Sequence, residues 1–212
     1  MQIEKGFWKN KKVLLTGHTG FKGSWLTILL SHLEAHVLGF SLPAEKKSLF
    51  NKTKILSLIE HEIGDIRNLD HLIKVEKNFS PDILIHMAAQ PLVIRSFEDP
   101  IKTFSTNVMG TVNVLEVIRQ SKTITSGVII TTDKCYENKN LKRGYKETDP
   151  MGGYDPYSSS KGSAELIISS YQRSFFSQSN NLNIRRIYET FYFSSCDNCN
   201  KRFFVIWNCP GR

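Results

Sequence analysis

The chain has 212 residues, of which 40% are hydrophobic and 23% charged, so it is long enough to form one large domain with a sizeable core. Its 28 Lys and Arg outweigh 20 Asp and Glu, but the resulting charge of +8 is spread along the chain and forms no basic stripe. Because no apolar run approaches the ~18 residues of a membrane span and no signal-peptide pattern is present, we expect a cytoplasmic protein with no membrane or nucleic-acid partner.

The predicted elements alternate between strands and helices along most of the chain. Short apolar runs predict strands at residues 13–16, 36–40, 61–63, 82–86 and 127–132. Helical spacing predicts helices at residues 21–33, 68–79, 100–119 and 156–176, whereas residues 45–60 are partly loop. This order predicts an α/β fold with a doubly wound parallel sheet, in which a ligand lies at the carboxyl ends of the strands.

A glycine-rich turn joins the first strand to the first helix. Gly17, Gly20 and Gly23 have the spacing G-x-x-G-x-x-G, and Phe21 opens the helix. The first glycine permits a tight turn, the second allows close approach of a pyrophosphate, and the third allows the helix to pack on the strand. A helix N-terminus also attracts phosphate, so this turn predicts a dinucleotide cofactor rather than a purely structural connection.

The end of the second strand does not identify the dinucleotide. An Asp or Glu there typically binds the adenosine ribose of NAD, but Phe40-Ser41-Leu42-Pro43 contains no acidic residue. Lys46 and Lys47 are candidates for contact with the 2′-phosphate of NADP, although a solvated loop is the simpler interpretation.

Two further segments follow the third and fourth strands. Asp65 and Ile66 are predicted to contact the adenine, with capping of the next helix as the structural alternative for Asp65. Ala88 and Ala89 have small side chains against which a cofactor can lie, although they are equally consistent with tight packing.

Tyr157 and Lys161 are the predicted proton-transfer pair. Residues four apart lie on the same face of a helix. An ammonium beside a phenol is expected to favour the phenolate and lower its pKa from ~10. Such a phenol can take a proton from a substrate hydroxyl.

Three polar residues follow the fifth strand, where a ligand is expected. The Thr132 hydroxyl is predicted to bridge substrate and Tyr157, Asp133 is a candidate general acid, and Lys134 is a second group that can transfer a proton. The alternative is a polar loop in which Asp133 caps a turn.

The segments TGHTGFKGSWL, IHMAAQPLV, TNVMGTVNVLE, TTDKCYENK and DPYSSSK together resemble the CDP-glucose 4,6-dehydratases, nucleotide-sugar dehydratases of the extended short-chain dehydrogenase/reductase group. The resemblance covers about residues 5–178 and implies a Rossmann-type domain, NAD as cofactor and a nucleotide-sugar substrate. Related dTDP-glucose dehydratases have Asp-Glu where this chain has Asp133-Lys134, and epimerases of the group lack this pair.

The resemblance also implies a role for each site residue. Tyr157, with Lys161 and Thr132, would deprotonate the sugar C4 hydroxyl, and Asp133 would act as the acid in loss of water, whereas the role of Lys134 is open. Gln90, Asn107 and Thr132 would lie at the substrate, with helix packing as the alternative for Asn107. A homodimer through the helices near residues 100–120 and 156–176 is expected from the same resemblance.

The last part of the chain has a different character. We predict a cofactor domain at residues 1–178 and an atypical remnant at residues 179–212, with most of the substrate domain missing through truncation or a shifted reading frame. An inactive remnant that at most binds NAD, or a related epimerase, is therefore an alternative. Cys196 and Cys199, with Cys209, are too few for a typical four-ligand zinc site, so no metal is predicted.

Overall fold

The computed structural model describes residues 5–139 and 143–176. Within these residues the centre is a parallel five-stranded sheet with the order β3-β2-β1-β4-β5. Its strands are β1 (Lys12–Thr16), β2 (His36–Ser41), β3 (Glu60–Ile63), β4 (Ile83–His86) and β5 (Ser126–Ile129). The predicted α/β fold with a doubly wound parallel sheet is confirmed, and the chain changes direction across the sheet between β1 and β4.

Helices connect these strands. They are α1 (Lys5–Trp8), α2 (Phe21–His32), α3 (Leu49–Lys52), α4 (Leu69–Phe79), α5 (Val93–Glu98), α6 (Pro100–Phe104), α7 (Gly110–Gln120) and α8 (Pro156–Tyr171). Short 3₁₀ turns lie at Ile55–Ser57 and Asp133–Cys135, and π turns at Ser105–Met109 and Gln172–Phe176. Residues 45–60, predicted to be partly loop, thus contain one helical turn and one 3₁₀ turn.

The two faces of the sheet are covered unequally. On one face the larger core cluster joins strand residues such as Leu14 and Phe40 to α4, α7 and α8. On the other face a smaller cluster, which includes Val13 and Leu15, packs mainly under α2. The alternation of side chains along each strand produces these two clusters.

Helix α2 packs through small residues rather than through all of its apolar ones. Gly23, Ser24 and Thr27 are buried, whereas Trp25 is 55% exposed. The hydroxyls of Ser24 and Thr27 donate to backbone carbonyls of Gly20 and Gly23, so they can be buried without losing hydrogen bonds. Small residues here allow the helix to approach the glycine turn closely.

Two predicted boundaries were wrong. β5 ends at Ile129 instead of residue 132, because Thr132 leaves the ladder and its hydroxyl accepts from the backbone NH of Lys134 to begin a 3₁₀ turn. The long helix predicted at residues 100–119 is interrupted by the π turn at Ser105–Met109, a feature that apolar spacing does not reveal.

No helix within residues 5–139 and 143–176 combines the length and apolar character needed to cross a bilayer. The cysteine-rich tail and the predicted remnant at residues 179–212 lie outside the described residues.

Candidate active site

The glycine turn meets the end of β4 where the order of the strands reverses. Gly17 has a φ of +78°, and a Cβ added to it would lie 2.6 Å from the backbone nitrogen of Ala88. Thr16 joins the same two strand ends, because its hydroxyl accepts from the backbone NH groups of Met87 and Ala88. Crevices at such reversal points are the usual ligand sites of open α/β sheets.

The other two glycines have different surroundings. A Cβ on Gly23 would lie 2.2 Å from the carbonyl oxygen of Gly17, so this position requires glycine for packing. Gly20 is exposed, and a Cβ there would meet only the Gly17 oxygen, at 3.3 Å. It begins α2 with no side-chain cap, which leaves the first helical NH groups free of a capping side chain.

This arrangement fits the diphosphate of a dinucleotide. The exposed backbone of Gly20 and the uncapped N-terminus of α2 provide amide donors and a positive dipole end. Phe21, 69% exposed, lies at the start of the same helix. Ala89 follows Ala88 and is half-buried, so no bulky side chain fills that side of the crevice.

Asp65 and Ile66 follow β3, but the structure gives them internal partners. The Arg67 side chain donates to both Asp65 carboxylate oxygens, from Nε to Oδ1 at 3.1 Å and from Nη2 to Oδ2 at 2.6 Å, and these bonds lower the pKa of Asp65. The structural alternative for Asp65 was wrong, because Asn68 caps α4. Ile66 is buried against Gly110, where a Cβ would lie 2.5 Å from the Ile66 Cδ1. Contact of Asp65 and Ile66 with adenine stays a prediction.

Helix α8 begins at a well-formed cap beside the crevice. The Asp155 carboxylate accepts from the backbone NH of Ser158, and Pro156 occupies the first turn, where no NH is needed. Tyr157 and Lys161 follow on one face and are only 9% and 8% exposed, with the lysine Nζ 6.0 Å from the centre of the phenol ring. The predicted pairing of these residues on α8 is confirmed.

The prediction that Lys161 lowers the pKa of Tyr157 was wrong for the chain without cofactor or substrate. Burial raises the pKa of Tyr157 above its usual value of 10.0, the charges of Asp133 and Asp155 raise it further, and a hydrogen bond with Thr132 opposes them. Removing the phenol from water thus outweighs any help from the lysine.

Burial changes the lysine in the opposite direction. It lowers the pKa of Lys161 to about 8, while Glu165 and Cys135 oppose this and Lys22 adds to it. Lys22 lies at the start of α2, directly after the glycine turn, and its charge acts against that of Lys161.

The turn after β5 carries the remaining predicted side chains. Thr132 donates to the Asp133 carboxylate at 3.0 Å and also contacts Tyr157, which gives a hydrogen-bonded chain from phenol to carboxylate. The alternative in which Asp133 caps a turn was wrong, because Thr132 is the capping residue. Lys134 is exposed on the same turn.

Gln90 and Asn107 form a connection inside the protein. The Asn107 amide oxygen accepts from the backbone NH of Gln90 at 2.8 Å, and its nitrogen donates to the Gln90 carbonyl and the Ser160 hydroxyl. The Gln90 side chain bonds to Leu92 and Thr103. These contacts support the packing alternative for Asn107, and contact of either residue with a substrate stays a prediction.

Sequence reasoning missed three residues of this region. Ser160 holds Asn107, His86 is buried between Thr16 and Thr111, and Glu165 accepts from the Thr131 hydroxyl. Glu165 had a detectable signal, because it lies four residues after Lys161 on a predicted helix. His86 and Ser160 had none, since their partners are distant in sequence.

Comparison with known proteins agrees with this geometry. The chain is 52% identical over 179 residues to CDP-glucose 4,6-dehydratase of Salmonella typhimurium, a match that covers 84% of this chain and 50% of that protein. It is 30% identical to CDP-paratose 2-epimerase of Salmonella typhi, with coverage of 77% and 54%. The chain thus spans about half the length of these relatives.

A solved structure shows the same fold. A dTDP-glucose 4,6-dehydratase double mutant from Streptomyces venezuelae, crystallised with NAD, superimposes with a TM-score of 0.69 at 24% identity. The superposition covers 77% of this chain and 52% of that one. The model of the family described as GDP-mannose 4,6 dehydratase matches residues 14–189, which include the glycine turn, the Thr132-Asp133-Lys134 turn and the Tyr157–Lys161 pair. The chain therefore belongs to the GDP-mannose 4,6-dehydratase family.

Proposed function

We propose that this chain is the cofactor-binding and proton-transfer part of a CDP-glucose 4,6-dehydratase, which forms CDP-4-keto-6-deoxyglucose from CDP-glucose. The observation that carries the proposal is the buried Tyr157–Lys161 pair, joined through Thr132 to Asp133. The 52% identity to a CDP-glucose 4,6-dehydratase supports this choice of nucleotide sugar.

NAD is the proposed cofactor. The turn around Gly17, Gly20 and Gly23 and the N-terminus of α2 would hold its diphosphate, with Ala88 and Ala89 at the opposite wall. Bound there, NAD would supply the hydride acceptor for oxidation of the sugar and the hydride donor after loss of water. The solved relative crystallised with NAD supports this choice over NADP.

The protein groups then move protons. Tyr157 removes the proton of the sugar C4 hydroxyl, and the chain from Tyr157 through Thr132 gives a route for a proton to Asp133. Asp133 supplies the proton for loss of the C6 hydroxyl as water. Lys134, exposed on the same turn, is the second candidate for proton transfer in that step.

A homodimer is the proposed assembly. Exposed apolar side chains occur on the helices expected to form the contact: Ile101 on α6 is 81% exposed, Met109 in the π turn 53%, and Leu166 on α8 62%. If the homodimer forms, these side chains would form one contiguous apolar patch, as is typical of interaction sites. Light scattering of the purified protein, compared between Ile101→Glu and Lys102→Glu, tests this, and an unchanged mass for Ile101→Glu would contradict it.

The activity test uses the purified chain, NAD and CDP-glucose, with the 4-keto sugar detected by its alkaline absorbance and by mass spectrometry. We expect product from CDP-glucose and none from the Tyr157→Phe variant. NAD binding without product would overturn the activity and favour a remnant that only binds cofactor. Conversion of an epimerase substrate instead would favour the epimerase alternative, which the similarity to CDP-paratose 2-epimerase keeps open.

The proposed location is the cytoplasm. The first 195 residues contain one cysteine, Cys135, which is buried and not in a disulfide. A cysteine outside any disulfide suits a reducing compartment.

A further inference from the structure

Lys161 is a lysine in a place that is unfavourable for its charge. It is 8% exposed and lies on α8 beneath the turn after β5. An ammonium removed from water is strongly destabilised unless an opposite charge is near. Since Lys161 belongs to the proposed proton-transfer pair, the source of that opposite charge determines whether the pair can work.

The charged and titratable groups around Lys161 come from four elements. On α8 itself Glu165 is the largest influence that favours the ammonium, and the Cys135 thiol of the 3₁₀ turn is a smaller one. Lys22 of α2 opposes it. His86 of β4 lies within range, but burial keeps the pKa of this imidazole at about 3, so it is neutral near pH 7 and provides no charge.

Glu165 is held in position by a second element. It lies four residues after Lys161, which places both side chains on the same face of α8, one turn apart. Its carboxylate oxygen Oε1 accepts a hydrogen bond from the hydroxyl of Thr131, which is itself 8% exposed and follows β5. The hydrogen bond ties the carboxylate to the segment that continues into Thr132 and Asp133.

We propose that Glu165 is a positioning residue whose carboxylate, held by the Thr131 hydroxyl, supplies the counter-charge that keeps the buried Lys161 ammonium charged beside Tyr157. The inference concerns the same site as the proposed function and takes its importance from it. The charge of Lys161 in the folded chain can be measured without turnover, because it is a property of the protein before any substrate binds.

The simpler alternative is that the bond between Thr131 and Glu165 only joins helix to strand. Glu165→Gln separates the two, because glutamine keeps an oxygen that can accept from Thr131 but has no charge. Thr131→Val is the complementary change, since it removes the hydrogen bond and leaves the carboxylate charge. Glu116→Gln is the matched control: Glu116 lies on α7 and accepts from Tyr171 of α8, ten residues beyond Lys161.

The measurement is the pKa of Lys161 from ¹³C NMR titration of protein labelled at lysine, without cofactor or substrate, with the signal assigned from Lys161→Met. In the unmodified chain we expect a pKa of about 8. Glu165→Gln should lower it by about one unit or more, the usual effect of losing a nearby carboxylate. Thr131→Val should lower it by a smaller amount, and Glu116→Gln should leave it unchanged.

An unchanged Lys161 pKa in Glu165→Gln would overturn the inference and leave the helix-to-strand connection as the role of Glu165. If Glu165→Gln fails to fold, Thr131→Val decides, because an unaltered Lys161 titration in that variant would show that the held carboxylate does not matter. A lowered pKa in a chain that makes no 4-keto sugar would support the inference while the proposed activity failed. Formation of the 4-keto sugar together with an unchanged Lys161 pKa in Glu165→Gln would support the proposed activity and overturn the inference about Glu165.

Discussion

The glycine turn and helix α8 carry the two parts of the predicted site, but different kinds of contact hold them in place. At the turn, Gly17 and Gly23 fix backbone against backbone, and the positions where a Cβ would fall are filled by main-chain atoms. Around α8 the contacts are hydrogen bonds between side chains. Asn107 bonds to Ser160, Thr132 to Asp133 and Thr131 to Glu165. The turn is therefore sensitive to an added Cβ at Gly17 or Gly23, whereas the surroundings of α8 are sensitive to the loss of a hydrogen-bonding side chain.

The largest effect is expected at the turn. Gly17→Ala places a Cβ 2.6 Å from the Ala88 nitrogen at a φ of +78°, so both strain and collision oppose it. We expect a loss of about 2–5 kcal/mol in the free energy of unfolding, together with loss of NAD binding. Urea denaturation and isothermal titration calorimetry measure the two.

The control for that change is Gly6→Ala, since nothing lies within 4 Å of a Cβ there. It should leave stability and NAD binding nearly unaltered. If Gly17→Ala were as stable as Gly6→Ala, main-chain packing at the turn would not be the constraint inferred from the structure.

On the α8 side, Asn107→Ala should come next. It leaves the Gln90 NH, the Gln90 carbonyl and the Ser160 hydroxyl without their shared partner. Unpaired buried groups cost about 1–3 kcal/mol each, and partial access of water reduces the sum, so we expect a loss of about 2–4 kcal/mol by urea denaturation. Ser160→Ala removes one of these bonds and should cost clearly less; equal losses would show that Asn107 does not hold both segments.

Acid should weaken the folded chain through its buried imidazoles. Burial lowers the pKa of His86 from 6.5 to about 3, so on acidification the unfolded chain binds a proton that the folded chain does not. This contribution to stability is complete above about pH 6.5 and is lost toward pH 3, at up to about 1.4 kcal/mol per pH unit. Urea midpoints between pH 7 and 4 should therefore fall less steeply in His86→Gln than in His32→Gln, an exposed control. Equal slopes would contradict the assignment.

The smallest effect is spectroscopic. Because burial raises the pKa of Tyr157, the difference in tyrosinate absorbance between the unmodified chain and Tyr157→Phe should have its midpoint above the usual tyrosine value of 10.0. Tyr154, which is fully exposed, provides the comparison through Tyr154→Phe. A Tyr157 signal below that of Tyr154 would mean that the lysine, and not burial, controls the phenol in the free protein.

The comparison also separates what the sequence revealed from what it did not. The strands, the glycine turn and the pair of Tyr157 and Lys161 were predictable, because each depends on residues close together in the chain. The bond between Asn107 and Ser160 and the raised pKa of Tyr157 were not, since the first joins residues 53 apart in the chain and the second depends on burial. Local spacing carries no information about which side chains lose contact with water.

Two backbone contacts join the turn that bears Asp133 to the segment before α8. The NH of Gly152 donates to the carbonyl of Cys135 at 2.9 Å, and Tyr136 pairs with Met151. We therefore expect the Asp133 carboxylate and the Tyr157 phenol to move together. A change in their separation from the glycine turn would then leave the distance between these two acids unaltered.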